Sequence, residues 1–197
     1  MFTHPVAQKN SRGHHAGADT KDADDNIDIR AAMIIQAEAL IGNKSNNGWG
    51  EKDLANILHD LLPKFNLHKY ETIRNLKKTA DSCGAFSSNG IPEAGDIVLF
   101  HNQVDTNKNQ KFDDWLTGAG IVIKNYRHGF EAIARTGNLP RRIKVWPNGP
   151  AVDRLDGEKI NSFVKIPRRS DPVDAEYLAG QLYAGHINIE KFYAATK

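Results

Sequence analysis

Apolar residues in the first part of the chain recur at helical spacing. One pattern runs from Asn26 to about Ile41, and Gly42 and Asn43 close it. Its apolar stripe is Ile29, Met33, Ala37, Leu40 and Ile41. A second, strongly amphipathic pattern is stopped by Pro63 and consists of Leu54, Ile57, Leu58, Leu61 and Leu62. A third covers 68–81 on Tyr70, Ile73, Leu76 and Ala80. We therefore expect three helices before residue 82.

Beyond these helices the apolar positions form short runs typical of strands. The runs are 95–100, 118–126, 129–135, 141–147 and 160–166. Gly129 lies in a hairpin-like turn between two of them. Consecutive strands with short links pair antiparallel, so we expect 95–100 and 118–126 to be central antiparallel neighbours.

The C-terminal part is expected to return to helix. Asp171 and Pro172 form an N-cap and first-turn pair, and Gly185 ends the pattern. The apolar positions of this last helix are Val173, Tyr177, Leu178 and Leu182. Helices followed by an antiparallel sheet define an α+β fold. The predicted organisation is a disordered polar tail over 1–26, an α+β domain over 27–170, and a helical extension over 171–197.

Composition limits the class of protein. The chain has 197 residues, of which 40% are hydrophobic and 25% charged, which suits one compact domain with a tail. No apolar run approaches a membrane span, and the N-terminus lacks the apolar core of a signal peptide. Cys83 is the only cysteine, which excludes an internal disulfide and a cysteine-based zinc site. Both a bacterial cytoplasmic and an exported or cell-envelope location fit these features.

Positive charge is concentrated in one segment. The formal net charge is only +2, but residues 121–170 hold eleven Lys or Arg against four acids. A basic face attracts nucleic acid, phospholipid or cell-wall polymer. We favour a solvated basic surface, because no sequence motif for nucleic-acid recognition accompanies the charge.

The loop over 105–113 spaces its oxygen-bearing side chains like a calcium-binding loop. Asp105, Asn107 and Asn109 alternate, Lys111 offers its carbonyl, and Asp113 stands at position nine. Position eight is Phe112, which fits as an anchor into the core, whereas Gln110 and Leu116 replace the usual Gly and Glu. The alternative is an Asn/Asp-rich turn without metal. If calcium binds, we expect it to stiffen this loop.

The stretch from Pro92 to Ile123 resembles the NlpC/P60 and CHAP cell-wall peptidases and amidases. The resemblance rests on Gly95-Asp96-Ile97-Val98-Leu99-Phe100 and on Gly120-Ile121-Val122-Ile123, and it extends over about 27–147. It implies helices before a small antiparallel sheet. It also implies a cysteine nucleophile at a helix N-terminus and a histidine base on the facing strand.

Neither catalytic residue of that family is matched. The histidine position falls on Gly118, and Asp53-Leu54-Ala55-Asn56 stands where the family has Asp-Cys-Ser-Gly. The chain thus resembles a degenerate hydrolase domain that binds a cell-wall glycan-peptide or a protein partner. Two further hypotheses stay open. One is an active amidase or peptidase using Cys83 with a relocated histidine such as His101. The other is a basic module for nucleic acid or anionic lipid.

Overall fold

The computed structural model describes residues 28–41, 54, 57–58, 72–103, 105–109, 111–137, 139–165, 167, 169, 171, 173 and 175–196. The expected tail over 1–26 lies outside these residues. Within them the chain forms an α+β fold built on an antiparallel sheet, as the periodicity predicted.

Two N-terminal helices begin at side-chain caps. Helix α1 spans Ile29–Ala39, and the Asp28 carboxylate accepts a 3.1 Å hydrogen bond from the Ala31 N–H. Helix α2 spans Ile73–Ser82, and Thr72 caps it by accepting a 3.1 Å bond from Asn75 N–H. Both predicted helices are confirmed, with later starts. Each buries its predicted stripe, namely Ile29, Met33 and Ala37 in α1 and Ile73, Leu76 and Ala80 in α2.

The second predicted helix is confirmed at the positions that the structure describes. Leu54, Ile57 and Leu58 are helical and at most 4% exposed. Leu61, Leu62, Pro63 and Tyr70 lie outside the described residues. The Leu54 side chain belongs to the main hydrophobic core, where it packs with apolar residues of the sheet.

Six strands form the main sheet. They are β1 (Phe86–Ser87), β2 (Ile97–Phe100), β3 (Gly118–Asn125), β4 (Phe130–Thr136), β5 (Leu139–Val145) and β8 (Tyr183–Ile187). Their order is β1-β8-β2-β3-β4-β5, and every pairing is antiparallel. Ile97 faces Ile121 and Phe100 faces Gly118, so the expected pairing of the two central strands is confirmed. A separate hairpin pairs β6 (Arg154–Leu155) with β7 (Glu158–Lys159).

The predicted C-terminal helix is wrong over most of its length. Helix α3 covers only Ala179–Leu182, and the chain then enters β8 before helix α4 (Ile189–Thr196). Gly185 does not end a helix but lies inside β8, with φ of 134°. Strand β8 fills the gap between β1 and β2, where its backbone groups find ladder partners on both sides. These long-range hydrogen bonds outweigh the local helical periodicity.

The predicted strand over 160–166 is also wrong. Phe163 makes one isolated bridge to Leu178, and no ladder forms along residues 160–165, the part of this segment that the structure describes. Its buried polar residues bind the edge of β5 instead. The Ser162 hydroxyl accepts a bond from Lys144 N–H at 2.9 Å, and the Asn161 side-chain oxygen Oδ1 accepts one from Trp146 N–H at 2.9 Å. The Ser162 N–H also donates to the Lys144 carbonyl at 2.9 Å, so side-chain bonds and isolated backbone bonds stand in place of a continuous ladder.

Asp96 joins three parts of the fold just before β2. Its carboxylate is 1% exposed and accepts bonds from Arg30 Nη1 (2.9 Å), Glu93 N–H (2.9 Å) and Ile189 N–H (3.0 Å). It therefore connects α1, the turn before β2 and the start of α4. Among the described residues, no helix is long and apolar enough to cross a membrane.

Candidate functional site

The candidate site lies where β2 ends and β3 begins. Phe100 and Gly118 face each other at this end of the pair, and Thr117 N–H donates to the Phe100 carbonyl at 3.0 Å. The connecting loop carries His101, Trp115 and the calcium-like segment. Two adjacent central strands therefore hold both ends of this loop in place.

Gln103 occupies the space above Gly118. A Cβ added to Gly118 would lie 1.7 Å from Gln103 Oε1 and 2.9 Å from its Cγ. The Gln103 carboxamide donates to the Arg135 carbonyl at 3.2 Å, and its backbone N–H donates to Thr117 Oγ1 at 2.8 Å. The position that the resemblance assigns to a histidine base is thus covered by an amide side chain.

His101 is held in a form that does not suit a general base. Its backbone N–H donates to the Leu182 carbonyl at 2.8 Å, and its Nδ1 accepts from Leu116 N–H at 3.1 Å. Burial lowers the pKa of the ring below its ordinary value. The neutral imidazole therefore has its acceptor nitrogen occupied and carries its proton on Nε2. In this arrangement His101 offers a donor to a ligand.

An exposed tryptophan lies beside His101. The Trp115 side chain is 64% exposed, and its ring contacts the His101 ring edge-on at a centroid distance of 4.5 Å. Arg74 on α2 donates to the Trp115 carbonyl through Nε at 3.4 Å and Nη2 at 3.3 Å. Leu116 follows with a positive φ of 55°, unusual for a residue with a side chain. This backbone geometry exposes the aromatic surface of Trp115 to solvent, next to His101.

The structure does not bring Cys83 and His101 together. Cys83 is the C-cap of α2 and lies three residues before β1. The first residue of β1 is level with the first residue of β2, whereas His101 follows the opposite end of β2. The Cys83 thiol is half-buried and donates to the Ala80 carbonyl at 3.4 Å. It stands at the C-terminal end of a helix, where the helix dipole offers a thiolate no stabilisation.

The calcium-like loop gathers two of its predicted ligands, Asn107 and Asn109, around a third, Asp113. Asn107 Nδ2 lies 3.3 Å from Asp113 Oδ1, and Asn109 Nδ2 lies 3.2 and 3.0 Å from the two carboxylate oxygens. The two Asn Oδ1 atoms accept backbone N–H groups, from Asn109 at 2.9 Å and from Lys111 at 2.8 Å. The amide nitrogens must therefore turn away before these side chains can offer oxygen to a cation.

Asp114 fastens the base of this loop. It is 3% exposed, and its Oδ1 accepts both the backbone N–H of Thr106, at 3.1 Å, and the Thr106 hydroxyl. Its backbone exchanges hydrogen bonds with Asn102, of 2.7 and 2.8 Å. Within the described residues, no group of three or more His, Cys, Asp or Glu side chains is placed to hold a metal. The predicted donor set of the loop combines two carboxylates, Asp105 and Asp113, with two Asn side chains and the Lys111 carbonyl.

Phe112 anchors the loop to the segment before α3. It packs against the hydrophobic core, its ring meets Tyr177 at 6.3 Å, and Lys165 Nζ lies 3.8 Å from its centroid. Tyr177 in turn donates to Asp171 at 3.0 Å. The expected anchoring role of Phe112 is confirmed.

The basic segment places two lysines around one tyrosine. Lys124 on β3 and Lys144 on β5 lie 5.4 and 5.2 Å from the Tyr126 ring centroid. The Tyr126 hydroxyl donates to Glu131 at 2.7 Å, and this hydrogen bond, together with burial, raises the pKa of Tyr126 to about 12. The phenol is therefore neutral at physiological pH. Nearby, His128 stacks on Trp146 with ring centroids 4.9 Å apart.

Comparison with known proteins adds no relative to this picture. No family model matches the chain, and neither a curated protein nor a solved structure matches it. Sequence reasoning did not single out Gln103, Trp115 or Asp114. For Trp115 the available signal was a tryptophan in an otherwise polar loop. The position of Gln103 over Gly118 has no sequence signal.

Proposed function

We propose that the chain is a non-catalytic, NlpC/P60-like domain that binds a cell-wall glycan-peptide at the junction of β2 and β3. One observation carries the proposal: neither expected catalytic position offers a reactive group. Leu54, in the expected nucleophile segment, is a core residue only 2% exposed. Gly118, at the expected base position, has the Gln103 carboxamide above it.

The proposed ligand-binding surface consists of Trp115, His101 and Arg74. An exposed aromatic face packs on the apolar face of a sugar ring, and the His101 Nε2–H donates to a hydroxyl or carbonyl. Arg74, already bonded to the Trp115 carbonyl, holds the loop in place and adds positive charge for a peptide carboxylate. A protein partner is the other occupant of this surface.

Calcium is proposed to stiffen the loop that carries this surface. Asn107, Asn109 and Asp113 already lie within hydrogen-bonding distance of one another. A hard cation favours such neutral and anionic oxygen donors. Asp105 and the Lys111 carbonyl complete the proposed ligand set. Because Phe112 connects this loop to Tyr177, an ordered loop also steadies the segment before α3.

The test combines binding and hydrolysis on purified protein. We expect co-sedimentation with purified peptidoglycan, no release of soluble muropeptides, and weaker co-sedimentation for Trp115→Ala. Ile35→Ala is the matched control, because Ile35 is 66% exposed and lies on α1 rather than in the loop. Equal binding of Trp115→Ala and Ile35→Ala would overturn the proposed surface. Absence of any binding would leave the protein partner as the occupant.

The hydrolysis arm distinguishes the active-enzyme hypothesis. Thiol catalysis needs a thiolate, a base within about 3 Å of it and donors for the oxyanion. Muropeptide release that disappears in Cys83→Ala would establish a cysteine enzyme with a relocated base. Release that persists in Cys83→Ala would indicate chemistry that does not use a cysteine.

A second candidate function is binding of an anionic polymer through β3 and β5. The observation that favours it is the placement of Lys124 and Lys144 around Tyr126, which combines positive charge with an aromatic ring. Lys144→Glu should weaken such binding, and rising salt should weaken it steeply. The probe is a single-stranded oligonucleotide. Binding whose affinity changes neither with salt concentration nor with Lys144→Glu would contradict this function.

A further inference from the structure

Two Asn-Gly dipeptides lie in the described part of the chain, in different environments. Asn89-Gly90 is in the turn that follows β1, and Asn148-Gly149 is in the turn that follows β5. In both, the asparagine is exposed. They differ in what surrounds the glycine, whose backbone nitrogen is the atom that attacks an asparagine side chain.

Gly90 leaves its nitrogen open to reaction. Its N–H makes no hydrogen bond to any residue that the structure describes, and a Cβ added to it would meet no atom within 4 Å. The neighbouring Asn89 carbonyl accepts a 2.8 Å hydrogen bond from the Ser87 hydroxyl. That bond withdraws electron density from the Asn89–Gly90 peptide, which makes loss of the Gly90 N–H proton easier.

Gly149 is protected in both respects. Its N–H donates to the Trp146 carbonyl at 3.1 Å. A Cβ added to Gly149 would lie 2.5 Å from the Trp146 ring, so the glycine is packed beneath that side chain. Attack by this nitrogen requires the hydrogen bond to break and the turn to move away from Trp146, which adds a local opening step.

We propose that Asn89 is a site of spontaneous deamidation and that Asn148 is not, although both precede glycine. The Gly90 nitrogen attacks the Asn89 side-chain carbonyl carbon, forming a C–N bond. The bond to the amide NH₂ breaks, and ammonia leaves with the proton lost by Gly90. One water molecule then opens the resulting succinimide at either carbonyl, which leaves aspartate or isoaspartate. No oxidant, reductant or enzyme is needed.

The product changes the turn that leads to β2. It adds one negative charge four residues before Glu93, which pairs with Arg30 at 3.1 Å. Isoaspartate also adds one backbone carbon before Pro92, whose carbonyl is bound by the Asn125 side chain. A charge variant with an altered β1–β2 turn should therefore accumulate as the protein ages.

The experiment is peptide mapping by mass spectrometry after incubation of the full-length chain in mildly alkaline buffer. In the folded protein we expect conversion at Asn89 to be at least about tenfold faster than at Asn148, which corresponds to about 1.4 kcal/mol of local protection. In denaturant the two rates should converge, because both turns are then open. Asn89→Gln should remove the deamidated form of the peptide that contains position 89.

Two outcomes would overturn the proposal. In the first, Asn89 is not deamidated in the folded protein but is deamidated in denaturant, which would mean that the folded turn protects it. The other is equal conversion at Asn89 and Asn148 in the folded protein, which would mean that the Gly149 hydrogen bond and the packing of Trp146 offer no protection.

Discussion

The carboxamide of Gln103 lies in the space that a side chain at position 118 would occupy. A Cβ on Gly118 would fall 1.7 Å from Gln103 Oε1, which no real contact allows. The two residues are therefore coupled: the folded-back position of the Gln103 side chain requires glycine at 118. A histidine at 118 is incompatible with this position of Gln103.

This coupling predicts a non-additive pair of substitutions. Gly118→Ala should destabilise the protein by about 1 kcal/mol, because the new methyl group displaces the Gln103 side chain from its bond to the Arg135 carbonyl. Gln103→Ala alone should cost about 1 kcal/mol through its lost bond to the Arg135 carbonyl. In the Gln103→Ala background, Gly118→Ala should be neutral or stabilising, since the clash is gone and alanine restricts the unfolded chain.

Denaturant unfolding of the four proteins in this cycle gives the coupling free energy. We expect a coupling free energy of about 0.5–3 kcal/mol. Its sign should make the double variant more stable than the summed losses of the two single variants predict. Strict additivity would show that Gln103 does not occupy the space above Gly118 in solution.

Asp96 is predicted to be highly sensitive to substitution. Asp96→Ala removes the buried carboxylate partner of Arg30 Nη1, which keeps its bond to the Ala94 carbonyl, and takes the side-chain acceptor from the Glu93 and Ile189 N–H groups. Loss of one member of a buried ion pair costs about 3–5 kcal/mol. Glu190→Gln is the matched control, because Glu190 pairs with the same arginine but its side chain is 62% exposed. That substitution should cost less than about 1 kcal/mol in denaturant unfolding.

The N-terminal helices and the paired strands β2 and β3 could be predicted because their signals are local. In α1, for example, Met33 and Ala37 lie one turn apart and both are buried. Strand β8 could not be predicted in this way. His186 faces Val98 on one side and Ser87 on the other, and these residues are far away along the chain. Pairing across such separations decides between strand and helix where local periodicity favours helix.

The candidate site was predictable only in part, for a related reason. The polar loop between β2 and β3 and the ligand-like spacing of Asn107, Asn109 and Asp113 are properties of adjacent residues. The contact of Trp115 with His101 depends on how a long loop folds back on itself. The edge-on ring packing and the Leu116 N–H bond to His101 Nδ1 are set by that tertiary geometry.

Calcium binding to the loop over 105–113 predicts a measurable stabilisation. Titration calorimetry should show heat at calcium concentrations up to about the millimolar range, typical of weak extracellular sites. The melting temperature should rise with added calcium, since a ligand that binds only the folded state stabilises it by mass action. Asp113→Ala should abolish both effects, because Asp113 is the residue around which Asn107 and Asn109 gather.

A control for this prediction is magnesium at the same concentration, which controls for ionic strength and prefers a tighter octahedral site. Asp156→Ala provides a matched loss of one exposed carboxylate in the hairpin between β6 and β7. The loop would be an ordinary Asn/Asp-rich turn if the wild type gave no calcium heat or if Asp113→Ala behaved like Asp156→Ala.

Cys83 is predicted to react as an ordinary half-buried thiol. It caps the C-terminal end of α2, is half-buried and donates to the Ala80 carbonyl. Alkylation by iodoacetamide near neutral pH should be slower in the folded protein than in the denatured protein. Faster alkylation in the folded protein would indicate an activated thiolate and would favour the enzyme hypothesis.

The protonation of two histidines is expected to make the stability of the protein depend on pH. Burial lowers the pKa of both His101 and His186 from the ordinary value of 6.5, and for His186 the neighbouring Asp96 offsets part of this effect. The unfolded chain therefore takes up protons at these residues at a higher pH than the folded protein does. The contribution of these two histidines to the free energy of unfolding should be fully present above about pH 6.5. It should decrease as the pH drops from that value towards the lowered pKa values.

The geometry of the two rings explains this direction. Protonation of His101 would put a proton on Nδ1, which now accepts the Leu116 N–H. The Nδ1 of His186 lies 2.8 Å from the Tyr183 hydroxyl, and burial keeps the pKa of that phenol above its ordinary value, so the hydroxyl stays protonated. A neutral His186 accepts the bond from Tyr183, whereas an imidazolium must donate to the hydroxyl oxygen from a partly buried position.

The measurement is denaturant unfolding at a series of pH values, with His101→Gln and His186→Gln singly and together. Each single variant should be less stable than the wild type above pH 6.5, because a hydrogen bond is altered, but should lose less further stability on acidification. The double variant should be nearly flat just below 6.5, before the carboxylates begin to titrate. If the double variant loses as much stability as the wild type in that window, groups other than these two histidines set the pH dependence.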